Sequence, residues 1–137
     1  MNMANRLLTK QSDHDGAVRA AGQIYRERGK YVWINPDGEK NRLWGTYYID
    51  VIAADTSSPS AAWVIEIETD DSVSDAEART QWVNYANAYT HWSLAVPKGV
   101  DQAAEGLLKR YGITNCYVIT WQYNPNGTYT FWGLPGL

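Results

Sequence analysis

Three acidic side chains fall within two stretches of sequence that are otherwise apolar and rich in β-forming residues. Glu66 and Glu68 lie two residues apart in AAWVIEIET (61–69), and Asp50 lies in LWGTYYIDVIAA (43–54). Because side chains alternate between the two faces of a strand, both glutamates should project from one face. If the two strands pair, Asp50 comes close to Glu66.

Carboxylates buried at this spacing predict a metal site. A charged carboxylate removed from water is costly unless it is paired or binds a metal. Like charges held together also raise the pKa of one of them, and a divalent cation removes that repulsion. Oxygen ligands of this kind suit Mg²⁺ or Mn²⁺. The alternative is that one or more of these acids faces solvent at a sheet edge.

The surrounding sequence predicts a first helix that would pack on the sheet holding these acids. Ser12 can cap its start, and Gly29 can end it as the residue after the last turn. Val18, Ala21 and Tyr25 recur at helical spacing and should form its buried face. Residues 1–11 are expected to be a flexible arm, and 12–137 a single domain.

The remaining elements predict an α/β fold with one mixed sheet flanked by helices. Further helices are expected from Ser74, in a Ser-x-x-Glu capping box, and from Asp101. The strands are predicted over 31–34, 43–54, 61–69, 91–97, 115–123 and 128–132. The order is therefore α-β-β-β-α-β-α-β-β. The early strands should form an antiparallel meander, and the later ones should be parallel because helices connect them.

Composition narrows the class of protein. A chain of 137 residues that is 45% hydrophobic fits one folded domain and not a disordered chain. A single cysteine excludes an internal disulfide, and no apolar run is long enough to span a bilayer. With no signal-peptide core near the start, the expected location is cytoplasmic, away from membranes. The net charge of −3 argues against binding polyanions through bulk charge.

A helix motif completes a resemblance to a known family. Asp50, then Glu66-Ile67-Glu68, then a helix carrying Gln81-Trp82-Val83-Asn84-Tyr85 resembles the PD-(D/E)XK nuclease superfamily, over roughly residues 12–120. Gln81 and Tyr85 resemble the QxxxY motif of its exonuclease branch, and their spacing places them on one helix face. The resemblance implies a restriction-endonuclease-like core, with Gln81 and Tyr85 as catalytic-site residues close to the active-site strands. The alternatives are that Gln81 is an exposed helix residue and that Tyr85 is an aromatic residue of the core.

The resemblance also implies roles for the three acids. Asp50, Glu66 and Glu68 would hold the metal ion and act in catalysis. Asp50 matches the motif aspartate, although Ile49 stands where the family often has proline, and Glu66 matches the second ligand. Glu68 stands where the family lysine is expected, and some active members carry glutamate there. The Pro36-Asp37 pair is interpreted as part of a tight turn and not as the motif.

A few other residues are secondary candidates for the same site. The superfamily often adds an acid from the first helix, where Asp15 and Glu27 stand, although Asp15 can cap that helix and Glu27 can pair with an arginine. His14 and His91 are weaker candidates as metal ligands. Lys98, which follows the strand over 91–97, could supply the missing cation.

These inferences predict a metal-dependent nuclease that hydrolyses phosphodiester bonds. Its partner would be a nucleic acid, with DNA expected first, and the basic segment 19–42 would contact flanking phosphates. The resemblance implies a homodimer or a larger complex for so small a chain. The alternative is a nuclease-fold binding or assembly module without activity, favoured by the missing lysine. A third possibility is an unrelated α/β domain.

Overall fold

A six-stranded mixed sheet forms the centre of the protein. The computed structural model describes residues 8–137, and their side chains from residue 10 onward. The strands are β1 (Tyr31–Ile34), β2 (Val51–Ala54), β3 (Trp63–Ile67), β4 (Trp92–Pro97), β5 (Cys116–Tyr123) and β6 (Tyr129–Trp132). The helices are α1 (Leu8–Glu27), α2 (Asp75–Glu77), α3 (Val83–Ala88) and α4 (Asp101–Arg110). A 3₁₀ turn (Asp70–Ser72) precedes α2, and a π-helical turn (Ala78–Trp82) joins α2 to α3.

The strands lie in the sheet in chain order, and their directions confirm the predicted mixed topology. β1, β2 and β3 are antiparallel neighbours. β3, β4 and β5 are parallel, and helices occupy both connections between them. β6 returns antiparallel to β5 through a tight turn. An α/β fold with the predicted order of elements is therefore confirmed.

The two faces of the sheet bury different helices. On the face that we call the α1 face, Val18, Ala21 and Tyr25 are fully buried, as predicted, and pack with Ile65 and Ile67. We call the other face the α3 face. Its core is formed by strand residues, by aromatic side chains of the π-helical turn and α3, and by residues of α4. The sequence correctly assigned alternate residues of β3 to the two faces.

The first helix starts earlier than its capping signal indicates. α1 includes Leu8, so Ser12 lies within the helix and does not cap it, which corrects the predicted start. Residues 8–11 of the expected arm are helical, and residues 1–7 lie outside the described residues. The predicted end is confirmed: Gly29 has a φ of 80°, and the N–H of Lys30 donates to the Tyr25 carbonyl over 3.0 Å.

The second strand is much shorter than the predicted 43–54 and begins only at Val51. The cause is Asn35, whose amide nitrogen donates to the carbonyls of Arg42 and Ile49, both over 2.8 Å. Its amide oxygen accepts from the backbone N–H groups of Asn41 and Arg42. The segment 41–49 therefore folds around one buried side chain, although its aromatic residues have the composition of a strand.

Membrane insertion of a helix finds no support within residues 8–137. None of the helices described there combines the length and the apolar character that crossing a bilayer requires.

Candidate functional site

The three predicted acids are buried at one end of the β2–β3 pair. Val51 pairs with Ile65, so continuing this register by one residue brings Asp50 opposite Glu66. The exposed fractions of Asp50, Glu66 and Glu68 are 4%, 4% and 0%. The alternative that these acids face solvent at a sheet edge is therefore wrong for all three.

Asp50 binds both the neighbouring strand and the first helix. Its Oδ2 accepts from the backbone N–H of Ile67 over 2.8 Å, so its side chain extends the pairing with β3 beyond the end of β2. The same oxygen lies 3.0 Å from Nε2 of His14. His14 is a fully buried residue of α1. Asp50 Oδ1 accepts no hydrogen bond from any residue that the structure describes.

His14 contacts acids through both of its ring nitrogens. Nδ1 lies 2.9 Å from Asp15 Oδ1 and 3.4 Å from Asp37 Oδ2, while Nε2 faces Asp50. A neutral imidazole donates from one nitrogen only, so both nitrogens can donate to carboxylates only in the protonated ring. Each ring nitrogen of His14 therefore lies within hydrogen-bonding distance of a carboxylate, and the tautomer decides which of them donates.

The turn before the second strand takes part in this arrangement. The backbone N–H of Asp37 donates to Asp15 Oδ1 over 3.1 Å, and Gln11 donates to Asp37 Oδ2 over 2.8 Å. Burial alone would raise the pKa of Asp15, but hydrogen bonds from His14 and the Asp37 backbone hold it below its ordinary value. The Pro36-Asp37 pair does form a tight turn, as predicted, and that turn lies against α1.

Glu66 is held by the helix motif that the sequence singled out. The Tyr85 hydroxyl donates to Glu66 Oε2 over 3.0 Å and lies 3.0 Å from the side-chain amide of Gln81. Burial raises the pKa of Tyr85 well above its ordinary value, and the charges of Glu66, Asp50 and Glu68 add to the shift. All three carboxylates therefore act on one hydroxyl, which stays protonated at neutral pH.

Glu68 has a different environment from Glu66. Its Oε1 accepts from Ser72 Oγ over 2.9 Å, and its Oε2 accepts from the Trp82 indole N–H over 2.7 Å. The π-helical turn that contains Gln81 and Trp82 helps to set their direction, and such turns often occur at functional sites. Both oxygens of Glu68 are thus bound by neutral donors.

One group of side chains among the described residues has ligand atoms close enough together to hold a metal ion. The ligand atoms of His14, Asp15 and Asp37 all lie within 4.8 Å of one another. Asp50 adjoins this group through His14, and Glu66 faces Asp50 when the β2–β3 register is continued. We call these residues together the acid–histidine cluster. Carboxylate oxygens and an imidazole nitrogen form a donor set that suits Mn²⁺ and is compatible with Mg²⁺.

Sequence reasoning gave His14 little weight and assigned Asp37 only to a turn. Their proximity depends on α1 passing the 35–38 turn, a long-range contact that no local pattern encodes. The adjacency of His14 and Asp15 in a helix predicted to pack on the sheet was the one available signal.

The other secondary candidates lie apart from the cluster. Glu27 is exposed near the end of α1 and accepts from Gln23 over 3.0 Å. His91 is exposed, with its ring 6.1 Å from that of Tyr117. Lys98 lies over the ring of Trp132, 4.9 Å from its centroid.

Comparison with known proteins gave no relative. The chain matched no family model, no curated protein and no solved structure.

Proposed function

We propose that this chain is a metal-dependent nuclease with a restriction-endonuclease-like fold. One observation carries the proposal: Asp50 and Glu66 meet from facing positions of adjacent strands, with His14 3.0 Å from Asp50. The fold assignment is supported by an antiparallel β1–β2–β3 unit, followed by a helix and a parallel β4. DNA is the expected substrate.

The ligands in this proposal are Asp50, Glu66 and His14. When bound, Mg²⁺ or Mn²⁺ supplies an activated water as nucleophile and offsets the negative charge that develops on the phosphate. Asp50 Oδ1 is the oxygen best placed to serve as a ligand, because Oδ2 is already hydrogen bonded to the protein. An imidazole binds a metal ion in its neutral form, through the ring nitrogen that carries no proton.

The motif residues Gln81 and Tyr85 have a positioning role in this proposal. Since the pKa of Tyr85 is raised, its hydroxyl keeps its proton and acts as a donor that orients Glu66. Gln81 lies beside this hydroxyl, where its amide can contact a phosphate or a water. Both residues lie in the helix that follows the active-site strand.

Glu68 also remains part of the proposed site, where it could bind a second metal ion or accept a proton from the attacking water. Its hydrogen bonds to Ser72 and Trp82 favour a third role, which is to fix the end of β3 and the helix relative to each other. A donor set of neutral groups leaves its charge in place, so it still contributes to the field at the cluster.

A second candidate function is a nuclease-fold binding or assembly module without hydrolytic activity. The observation in its favour is Glu68, which stands in place of the family lysine and has both oxygens bound within the protein. This module would keep the acids as structural groups.

Metal binding and cleavage, measured on the same samples, test the proposal. We expect calorimetric titration to show Mn²⁺ binding that Asp50→Asn abolishes and Asp75→Asn leaves unchanged. Asp75 is the matched control because it pairs with Arg110 and Tyr111 on the surface, away from the cluster. Plasmid and oligonucleotide substrates should be cut with Mn²⁺ or Mg²⁺ and remain intact in EDTA.

The two candidate functions give different results in these assays. A protein that binds neither ion would contradict the metal site and with it the nuclease. Binding of Mn²⁺ without cleavage of DNA or RNA would favour the non-hydrolytic module.

A further inference from the structure

A cleft of about 620 Å³ lies on the α1 face of the sheet, at the end where β3, β4 and β5 begin. Its floor is formed by the first residues of β4 and β5, and its walls include Trp63, Ile119 and Pro135. Ser93 pairs with Ile65 on one side and with Tyr117 on the other. Because Ile65 belongs to the α1 face, Ser93 projects from the face opposite to Glu66. This cleft is therefore distinct from the proposed metal site.

The floor of the cleft contains a polar group that the protein does not satisfy. Ser93 is only 4% exposed and lines the cleft, yet its hydroxyl makes no hydrogen bond with the residues that the structure describes. Buried polar groups in native proteins nearly always have a partner. A hydroxyl held at the base of an apolar cleft is suited to a ligand that brings its own hydrogen-bonding group.

Contacts within the protein hold the walls of the cleft in place without a ligand. The Tyr25 hydroxyl donates to the Pro135 carbonyl over 2.7 Å, which fastens the chain segment of one wall to α1. Gly133 packs against Ile119, and its φ of 95° is a conformation that glycine adopts most readily. Ligand sites are usually concave and largely preformed, with volumes in this range.

The charge of the lining limits the class of ligand. Among the residues with described side chains, no Asp, Glu, Lys or Arg lines the cleft, and the ionisable side chains there are those of the exposed His91 and of Tyr117. Aromatic rings of Trp63, Trp92 and Tyr117 contribute to the walls and floor. Such a site disfavours an ion, which would lose its hydration, and favours a flat apolar ring.

We propose that this cleft binds a neutral aromatic small molecule that carries one hydrogen-bonding group, which pairs with the Ser93 hydroxyl. Phenol and indole are the probes for this class, toluene lacks the hydrogen-bonding group, and benzoate adds a charge. The site goes beyond the nuclease function and does not depend on it.

Titration of the ¹⁵N-labelled protein with each probe tests the proposal. We expect phenol and indole to shift the amide resonances of residues 93 and 117 in a saturable way, with a Kd on the order of 1 mM, as befits so few atoms. Ser93→Ala should weaken phenol binding about five- to tenfold and leave toluene binding unchanged. Benzoate should bind more weakly than phenol.

Three variants separate this site from the general surface and from the metal site. Tyr117→Ala should weaken phenol and toluene alike, whereas Tyr123→Ala should weaken neither. Tyr123 is a matched control because it lies on the same strand, is 52% exposed and does not line the cleft. Asp50→Asn should bind phenol normally even if it no longer binds Mn²⁺.

Three results would overturn the proposal. They are phenol binding that Ser93→Ala leaves unchanged, benzoate binding tighter than phenol, and chemical shift changes that never saturate.

Discussion

Glu68 and His14 are both fully buried polar side chains, but the groups around them differ. Glu68 is one acid between neutral donors, with Ser72 and Trp82 each binding one of its oxygens. His14 is one base among Asp15, Asp37 and Asp50. The first environment is complete, since every oxygen has its donor. The second brings three carboxylates to one imidazole, and carboxylate oxygens with an imidazole nitrogen are groups that a metal ion binds.

This difference teaches which of the predicted acids to assign to metal binding. Each oxygen of Glu68 already accepts from a fixed protein donor, which leaves it fewer lone pairs for an ion than a carboxylate oxygen that accepts from none. Asp50 uses one oxygen for two contacts and keeps the other for a ligand. The two regions are therefore expected to respond differently to substitution, to metal and to pH.

The largest expected effect is the loss of stability in Trp82→Phe. Removal of the indole N–H takes one hydrogen bond from the fully buried carboxylate of Glu68. Hydrogen bonds to charged groups contribute about 1.5–3 kcal/mol, so the free energy of unfolding should fall by about that amount. Urea denaturation measures it.

Trp92→Phe is the matched control for this prediction. Its indole N–H donates to the neutral amide of Asn115 over 3.3 Å, so the same substitution should cost only about 0.5–1.5 kcal/mol. Equal losses of unfolding free energy in the two variants would show that the hydrogen bond from Trp82 to Glu68 contributes no more than the one from Trp92 to Asn115.

The next effect is the stabilisation that Mn²⁺ gives through the acid–histidine cluster. A ligand present at 100 times its Kd adds about 2.7 kcal/mol to the free energy of unfolding. Trp82→Phe should keep this increment, because it disturbs only the environment of Glu68, and Asp50→Asn should lose it. Thermal and urea unfolding with and without Mn²⁺ measure the increment. Its loss in Trp82→Phe would mean that the two regions act as one.

A smaller effect is expected at low pH, and it should come from the His14 region. The pKa of Asp15 is lowered in the folded protein, so its ionised form stabilises the fold above its unfolded pKa of about 3.9. That contribution is lost as the pH falls from there through the lowered folded value. As the pH falls below about 4, the stability of Asp15→Asn should therefore decrease less steeply than that of the unsubstituted protein. Urea midpoints measured between pH 2.5 and pH 6 would show it, and an unchanged slope would exclude a role for Asp15.

Local sequence patterns were sufficient to predict most of the fold. β1 was predicted to the residue, and Gly29 was correctly placed after the end of α1, with a positive φ. Alternation in β3 gave the shared face of Glu66 and Glu68, because one strand's geometry determines it. These features depend only on neighbours in the sequence.

The features that sequence reasoning missed depend on distant contacts. The 41–49 segment is rich in strand-forming aromatic residues, but the Asn35 side chain binds its backbone groups. Likewise, the proximity of His14 to Asp37 arises only when α1 crosses the turn. The nuclease assignment of the site remains a prediction from motif residues and geometry.

The smallest effect is predicted for Glu27→Gln, at the other end of α1 from His14. Glu27 was a candidate acid for the site because it stands on the same helix as Asp15, but it is exposed and contacts only Gln23 among the described residues. Surface substitutions of this kind usually change the free energy of unfolding by less than about 0.5 kcal/mol. Its Mn²⁺ affinity should equal that of the unsubstituted protein. A weaker Mn²⁺ affinity in Glu27→Gln would mean that negative charge anywhere on α1 attracts the ion. The contrast between Glu68 and His14 would then not identify the ligands.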